Sequence, residues 1–251
     1  MNSTKMILFF CFIGCVSIIF AQTNKISTEG NELLRKIDSN LTPVSFESYR
    51  KLINIEPNGK EKEFVLYTAK KGSDKMVTTF LSPKTEVGRS TLRLGDNMWL
   101  YIPNVGKPVR ITSMQSVTGG IFNNADIMRL AYSEEYDCIK LDKSSKEYVM
   151  TLKAKTGNVA YDKLLVKVDI INKLPTQIEC YTASDMLIKT LYFKEVKSMS
   201  KDIKRPTIIE TDSPLHKGYK SVMIYAKMKI RDFPDEVFTI QYMPKIPDLR
   251  N

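Results

Sequence analysis

Histidine is the residue whose scarcity most limits the chemistry that this chain could do. His216 is the only histidine, so a catalytic His pair or a zinc cluster would rest on one imidazole. It lies in the run 211–218, which reads as a solvated turn because it combines Asp, Ser, Pro and Gly. The sequence has no Gly-x-Ser-x-Gly elbow, no phosphate-binding glycine loop and no Cys-x-x-Cys pair. We therefore expect no catalysis, no metal and no cofactor.

Carboxylates and thiols add little to this inventory. Glu134 and Glu135 fall on a predicted strand, where neighbouring side chains point to opposite faces, so they suit a surface better than an acid–base pair. Two of the 4 cysteines lie in an apolar N-terminal run, and Cys138 and Cys180 lie on predicted strands. In an oxidising compartment these two could form a cross-strand disulfide, or they could be two free buried thiols.

Soft apolar side chains are abundant instead. The chain has 12 methionines, and methionine adapts its shape to surfaces that accept variable apolar ligands, although any one of them can equally pack a core. As a set they favour an apolar binding surface. The residues that define the set, with the aromatic residues near them in sequence, are Met76, Met98, Met114, Met128, Met150, Trp99, Tyr101 and Phe122.

Strands joined by short polar turns are predicted over most of the chain. Apolar and charged residues alternate over 147–154 and 162–171, which gives each strand one dry and one wet face. Roughly 11 to 13 strands in mostly short hairpins predict one domain built on a large antiparallel sheet that must curl to hide its apolar face. The 14 segments that could form these strands are 45–55, 61–71, 75–82, 89–94, 98–103, 108–112, 134–141, 147–154, 162–171, 176–182, 187–196, 207–211, 219–230 and 237–242.

Two helices are available to cover that face. The first spans 27–41, where apolar residues recur on one side, and Pro43 ends it. The second is predicted near 124–132, with Asn123 or Asn124 as the cap and Asp126 in the first turn. A curved sheet covered by so few helices would leave its concavity incompletely filled, which predicts a cavity for an apolar ligand.

The stretch 88–136 joins these features. Residues 92–103 predict a β-hairpin, because Gly95, Asp96 and Asn97 supply the backbone angles of a tight reversal between two apolar runs. Gly119 and Gly120 then predict a bent or mobile connection before the second helix.

The first 21 residues differ from the rest. Lys5 precedes an apolar run that ends near Ala21, which is the pattern of a secretory signal peptide. We therefore expect a signal peptide at 1–21 and a single folded domain at 22–251. The alternative is a lipid anchor at Cys15, because residues 12–15 loosely resemble a lipobox. A retained membrane anchor ranks last, since the run is shorter than a spanning helix requires.

The net charge of +10 comes from 38 basic and 28 acidic side chains. Removal of the signal peptide takes away one lysine and no acid. Because the basic residues are scattered along the strands, an anionic membrane surface is a better expected partner than nucleic acid, and the charge could also serve solubility alone.

The central stretch resembles the outer-membrane lipoprotein-sorting proteins, the LolA-like periplasmic carriers. The resemblance rests on 94–103, Arg110-Ile111, 122–130 and 132–136, with 174–175 and 189–193 in support, and covers most of the chain after the signal peptide. It departs from many relatives at 123–125, where this chain reads Asn-Asn-Ala before Asp126.

The resemblance implies a mainly β (α+β) fold: a strongly curved antiparallel sheet that forms a half-open barrel, with the N-terminal and central helices over its concave face. It also implies a hydrophobic cavity that shields acyl chains during transit across the periplasm, in a monomer without catalytic activity. The residues expected at the cavity and lid are Met98, Trp99, Leu100, Tyr101, Ile102, Phe122, Ile127, Met128 and Leu130, with Gly119 and Gly120 as hinges. Since strand side chains alternate, either Met98, Leu100 and Ile102 or Trp99 and Tyr101 face the cavity, and flexible apolar residues favour the first set.

Two functions fit this sequence. One is a periplasmic carrier of lipid or lipoprotein acyl chains, with an inner-membrane transporter and an outer-membrane acceptor as partners. The other is a periplasmic sensor or adaptor of the same fold that binds an envelope transporter or signalling protein through its basic surface and strand edges.

Overall fold

A computed structural model describes residues 27–128, 131–201 and 203–250. The predicted signal peptide at 1–21 and the alternative anchor at Cys15 lie outside the described residues, as does Leu130 of the predicted lid.

Thirteen antiparallel strands form one sheet with the order β6-β5-β4-β3-β2-β1-β13-β12-β11-β10-β9-β8-β7. The sheet is open, because β6 and β7 are its two edges. The predicted curved, unclosed antiparallel sheet is therefore confirmed. The strands are β1 (Ser45–Ile55), β2 (Glu61–Lys71), β3 (Lys75–Ser82), β4 (Ser90–Leu94), β5 (Asn97–Tyr101), β6 (Val109–Ile111), β7 (Tyr136–Lys143), β8 (Glu147–Ala154), β9 (Lys163–Asp169), β10 (Pro175–Tyr181), β11 (Leu187–Ser200), β12 (Ile203–Asp212) and β13 (Lys220–Ile230).

The strands form where buried and exposed side chains alternate. In β9 every second residue is buried, as its sequence predicts. The turn between β4 and β5 has Gly95 at φ +56°, a left-handed angle that glycine adopts without steric cost. The hairpin predicted over 92–103 is thus present, and it pairs Leu92 with Trp99 across the two strands.

Three short helices lie on the concave face. Helix α1 spans 27–41 and buries Leu34, Ile37 and Leu41 in the core. Helix α2 (Asn124–Met128) and helix α3 (Tyr132–Glu135) follow the long connection from β6.

The single helix predicted over 124–132 is wrong in extent. Ala131 has extended backbone angles (φ −124°, ψ 92°) and separates α2 from α3. Glu134 and Glu135 lie in α3, so the strand predicted at 134–141 begins at Tyr136 instead. The local pattern failed here because a four-residue helix is much shorter than the window of roughly 11 residues or more over which helical periodicity is recognised.

The sheet carries a separate core on each face. The concave core includes Leu66, Met76 and Met98 from the sheet with Phe122 and Ile127 from the connection after β6. On the opposite face, Tyr67, Val77, Leu92 and Trp99 pack against the C-terminal segment (231–250).

The C-terminal segment corrects another prediction. Residues 237–242 were predicted as a strand, but they belong to two 3₁₀ helices, Asp235–Phe238 and Ile240–Arg250. Pro244 and Pro247 lie in the second helix, and proline cannot donate to a strand ladder. The segment therefore packs across β1–β5 and does not join the sheet as a fourteenth strand.

Within the described residues, no helix is both long and apolar enough to cross a membrane.

Candidate functional site

The chain between the two edge strands crosses the open side of the curved sheet. We call its described residues, 112–128 and 131–135, the cover. The cover packs on the concave core and contains most of the residues that the sequence predicts for a lid.

The first part of the cover is fixed to the start of α2. The Asn124 backbone N–H donates to Gln115 O at 3.0 Å, and the Ala125 N–H donates to Ser113 O at 2.9 Å. The Asn124 side chain also donates to Thr112 O at 2.9 Å. These bonds make 112–115 and α2 one unit.

The predicted hinge lies in a tight hairpin at 116–123, where Val117 N–H donates to Phe122 O. Gly119 has φ +74°, so this position favours glycine. At Gly120 an added Cβ would lie 2.0 Å from Asn54 Oδ1. The hairpin is thus anchored to β1 at this point, and the hinge role of the two glycines stays a prediction.

Asn123 begins α2 through a reciprocal cap. The Asn123 N–H donates to Asp126 Oδ2 at 2.8 Å, and the Asp126 N–H donates to Asn123 Oδ1 at 3.1 Å. Of the two asparagines that the sequence offers, Asn123 is therefore the cap.

The Asp126 carboxylate also binds two side chains outside the cover, those of Lys189 and Tyr161. Lys189 of β11 lies 2.5 Å from Asp126 Oδ2, and each side chain is only 3% exposed. Tyr161 donates its hydroxyl to Asp126 Oδ1 at 2.9 Å. Lys189 also donates to Ile121 O at 2.8 Å, so one buried ammonium holds two points of the cover.

Two arginines hold the other end of α2. Arg50 Nη1 donates to Ile127 O at 3.2 Å, and Arg93 Nη1 donates to Met128 O at 3.4 Å. These carbonyls lie in the last turn of the helix, where no intrahelical donor is available. Buried cations from β1 and β4 thus take the place of a normal helix cap.

Asp38 of α1 holds α3. Its two carboxylate oxygens accept the Tyr132 and Ser133 N–H groups at 2.8 and 2.7 Å. Burial raises the pKa of Asp38 although these hydrogen bonds oppose the change. The cover is therefore held by polar contacts at each helix end, over an otherwise apolar core.

Two small cavities lie beneath the cover among the described residues. Each has a volume of about 30 Å³, and both are bordered by Asp126, Tyr132 and Leu191. Each has room for one or two water molecules. As the described residues define them, neither cavity is large enough for an acyl chain.

The second cavity has both apolar and cationic walls. Leu41, Phe122, Phe193 and Ile209 line it with Arg205 and Tyr225. Arg205 Nη1 donates to Leu41 O at 2.8 Å, at the end of α1. Arginine thus binds the C-terminal carbonyl of α1 as it does those of α2.

The residues predicted for the site divide between the two faces. Met98, Phe122, Ile127 and Met128 meet in the concave core, whereas Trp99 and Tyr101 pack with the C-terminal segment on the opposite face.

Two further predicted residues lie near the surface. Leu100 lines an open groove of about 500 Å³ beside Phe80 and Ile111, and Ile102 is 39% exposed. Whether any of these residues contacts a ligand stays a prediction.

Sequence reasoning missed the buried basic residues and two tyrosines of this site, although it placed Asp126 in the first turn of the second helix. Arg50 has the strand parity of the buried Phe46 and Leu52, which marks it as inward-facing. A charged residue at an inward-facing strand position was the signal in the sequence that could have identified Arg50 as part of the site. The sequence did not mark Arg205, Tyr225 or Tyr132 in this way, because these residues come together only in the folded chain.

The two cysteines are both free thiols in the described part of the chain. Burial raises the pKa of Cys138 to about 11 and raises that of Cys180 further. Neither environment favours a reactive thiolate. His216, in contrast, is exposed in its loop, as its sequence context predicts.

Comparisons with known proteins give one family and several structural relatives. Residues 72–245 match a family model described as "uncharacterized protein". A comparison with curated proteins found no match. Among solved structures, the chain is similar to a LolA superfamily protein from Nitrosomonas europaea, with 28% identity and a TM-score of 0.77 over 85% of this chain and 98% of that one.

Two more distant structures have the same fold. A DUF1329 family protein from Desulfovibrio piger is 20% identical, with a TM-score of 0.75 over 87% of this chain and 99% of that one. A structure described as an outer membrane lipoprotein-sorting protein domain, from Vibrio parahaemolyticus, is 18% identical, with a TM-score of 0.71 and the same coverage of 87% and 99%.

Proposed function

Because the chain belongs to the family matched over residues 72–245 and has the LolA-like fold, we propose that it is a carrier that shields lipid or lipoprotein acyl chains beneath its cover. The observation that carries this proposal is the way the cover is held. Buried charges bind the ends of its short helices, and two small cavities lie beneath it on an apolar core.

The polar contacts that hold the cover involve charged side chains and must break when it opens. Each such hydrogen bond contributes a net ~1.5–3 kcal/mol, because water replaces it on opening. Movement of Tyr132 would join the two cavities, since that residue borders both. Burying acyl carbons at ~0.8 kcal/mol per methylene then offsets the cost of opening.

The proposal includes export. The signal peptide at 1–21, cleaved near Ala21, would deliver a domain of residues 22–251 to the periplasm, where acyl chains need protection from water. The carrier would accept cargo from an inner-membrane transporter and release it to an outer-membrane acceptor. Its basic surface would favour contact with anionic membranes on both sides.

A pair of neighbouring isoleucines provides the test. Ile209 lines the second cavity, while Ile208 lies on the other face of β12 and is partly exposed. We expect I209W to lower the uptake of a fluorescent fatty acid at least 10-fold by filling the cavity, and I208W to leave it unchanged. Circular dichroism establishes that both variants are folded.

Mass spectrometry of lipids extracted from the purified protein gives an independent readout. Recovery of an amphiphile from the wild type but not from I209W supports the carrier. No bound amphiphile together with no uptake by the wild type would contradict it.

The small size of the two cavities favours a second candidate, an adaptor that binds a partner protein. Volumes of about 30 Å³, as the described residues define them, are too small for an acyl chain, whereas the edges β6 and β7 are open to strand addition. The same pair of variants separates the two functions. Capture of an envelope protein that survives I209W favours the adaptor, and its loss with I209W favours the carrier.

A further inference from the structure

Three buried side chains with two like charges meet beside the second cavity. Arg205 lies over the Tyr225 ring with Cζ 3.6 Å from the ring centroid, and Arg50 Cζ lies 5.8 Å from the same centroid. All three residues are at most 4% exposed. We call Arg50, Arg205 and Tyr225 the arginine–tyrosine cluster.

No carboxylate of the described chain forms an ion pair with either arginine. The other buried cations near the cover have one: Lys189 pairs with Asp126 at 2.5 Å, and Arg93 lies 3.8 Å from Glu135. Arg50 instead donates to Ile127 O and to the hydroxyls of Thr68 and Thr78, and Arg205 donates to Leu41 O and Pro206 O. These partners are neutral, and two buried cations without an anionic partner are costly, so an added anion would be stabilised there.

Two fully buried polar atoms of the cluster, Arg50 Nε and Tyr225 Oη, form no hydrogen bond of normal geometry among the residues described. The Tyr225 hydroxyl nevertheless lies close to both guanidiniums. Burial raises the pKa of Tyr225, but the Arg205 and Arg50 guanidiniums outweigh it and leave the pKa below its usual value. The cluster therefore offers unused donors and a positive field at one place.

The walls around the cluster suit the rest of an amphiphile. Leu41, Phe122, Leu191, Phe193 and Ile209 border the same cavity. Asp126 also borders it, but its carboxylate is paired with Lys189. The cavity lining thus has one basic residue, Arg205, and is otherwise mostly apolar.

We propose that the arginine–tyrosine cluster is a head-group site for an anionic lipid, which places a carboxylate or phosphate against Arg205, Arg50 and Tyr225 and its acyl chain along the apolar wall. The inference rests on the proposed carrier function and deepens it, because it selects anionic amphiphiles over neutral ones. The guanidinium fork matches both carboxylate and phosphate oxygens. The head group would replace the carbonyl contacts that hold α1 and α2.

The test measures displacement of a neutral apolar dye, N-phenyl-1-naphthylamine, by three amphiphiles with the same acyl chain length. They are palmitate, 1-palmitoyl lysophosphatidic acid and neutral hexadecanol. For the wild type we expect at least one anion to displace the dye at a concentration at least 10-fold lower than hexadecanol. The stronger of the two anions identifies the head group.

Variants on one strand locate the effect. R205M should reduce the preference for the anion to less than 2-fold while hexadecanol still binds, because the apolar wall is intact. K204M removes the same charge from the exposed face of β12 and should keep the wild-type preference. Y225F removes only the unpaired hydroxyl and should lower the preference about 3-fold, which tests the site if R205M fails to fold.

The outcomes separate this inference from the carrier function. Equal displacement by all three amphiphiles, or an unchanged preference in both R205M and Y225F, overturns the head-group site and leaves the carrier in place. Failure of the wild type to bind the dye and every amphiphile contradicts the carrier itself.

Discussion

Asp126 on the cover and Lys189 on β11 form an ion pair with an Oδ2–Nζ distance of 2.5 Å, at a point where each side chain is 3% exposed. Lys194 and Glu210 pair at 2.6 Å between β11 and β12, but there the two side chains are 50% and 41% exposed. The two pairs have nearly equal N–O distances but differ in burial. Comparing them therefore isolates the effect of burial on the contribution of an ion pair to the free energy of unfolding.

D126N should lower the free energy of unfolding by ~3–5 kcal/mol, because it leaves the buried Lys189 ammonium without its carboxylate. E210Q, the exposed control, should cost at most ~1 kcal/mol. Urea unfolding measures both. Combining D126N with K189M should cost less than the sum of the single changes, and strict additivity would contradict direct coupling of the pair.

G120A should destabilise the fold by ~1–3 kcal/mol, because its Cβ would lie 2.0 Å from Asn54 Oδ1. At Gly157 an added Cβ meets nothing within 4 Å, so G157A should change stability little. Thermal unfolding of the two variants gives the comparison. Partial recovery of stability in N54A/G120A would locate the clash, and equal stability of G120A and G157A would show that the hairpin yields freely.

Lys70 should make stability depend on pH in the alkaline range. Its Nζ donates to three backbone carbonyls, and burial lowers its pKa to about 8 from the usual 10.5, with Arg93 adding to the effect. Between about pH 8 and pH 10.5, Lys70 binds a proton in the unfolded chain but not in the folded chain. The free energy of unfolding therefore rises with pH across this window.

The difference in unfolding free energy between the wild type and K70M isolates this residue from the tyrosines that titrate nearby in pH. It should be flat below about pH 8 and should shift in favour of the wild type towards pH 10.5. A difference that stays constant over this range would mean that the Lys70 ammonium is as well solvated in the folded state as in the unfolded one.

F238A should lower the unfolding free energy by ~3–5 kcal/mol and leave amphiphile affinity unchanged. Phe238 packs edge-on against Phe233 in the core opposite the cover, with ring centroids 6.2 Å apart. Urea unfolding and dye displacement at a temperature where the variant is folded measure the two effects. A loss of affinity in fully folded F238A would show that the two faces of the sheet are coupled.

Most of the sheet could be predicted from sequence, because its signals are local. β1, β2 and β3 have the bounds that alternation and turn residues predict, and Gly95 lies in the predicted reversal. Apolar and polar residues also alternate in part over 237–242, but such a pattern does not by itself determine the backbone conformation. Pro244 and Pro247 beyond it decide the backbone conformation.

The candidate site was predictable only in part, for a physical reason. Met98 and Ile127 share a core because strand parity and helix periodicity each point them inward. Arg50, Arg205 and Tyr225 come from β1, β12 and β13, and their meeting depends on the order of strands in the sheet. A sequence pattern assigns charged residues to solvent by default, so a buried pair of arginines runs against the rule that predicts the rest.

The C-terminal segment gives the two halves of the sheet different stiffness. It packs beneath β1–β5, so those strands are sandwiched between two cores. Among the described residues, the core that it forms includes none from β7–β11, so there that half of the sheet packs against the concave core alone. A layer clamped on both faces resists bending more than a layer clamped on one. If the concave side widens to admit a ligand, we therefore expect β7–β11 to bend more than β1–β5.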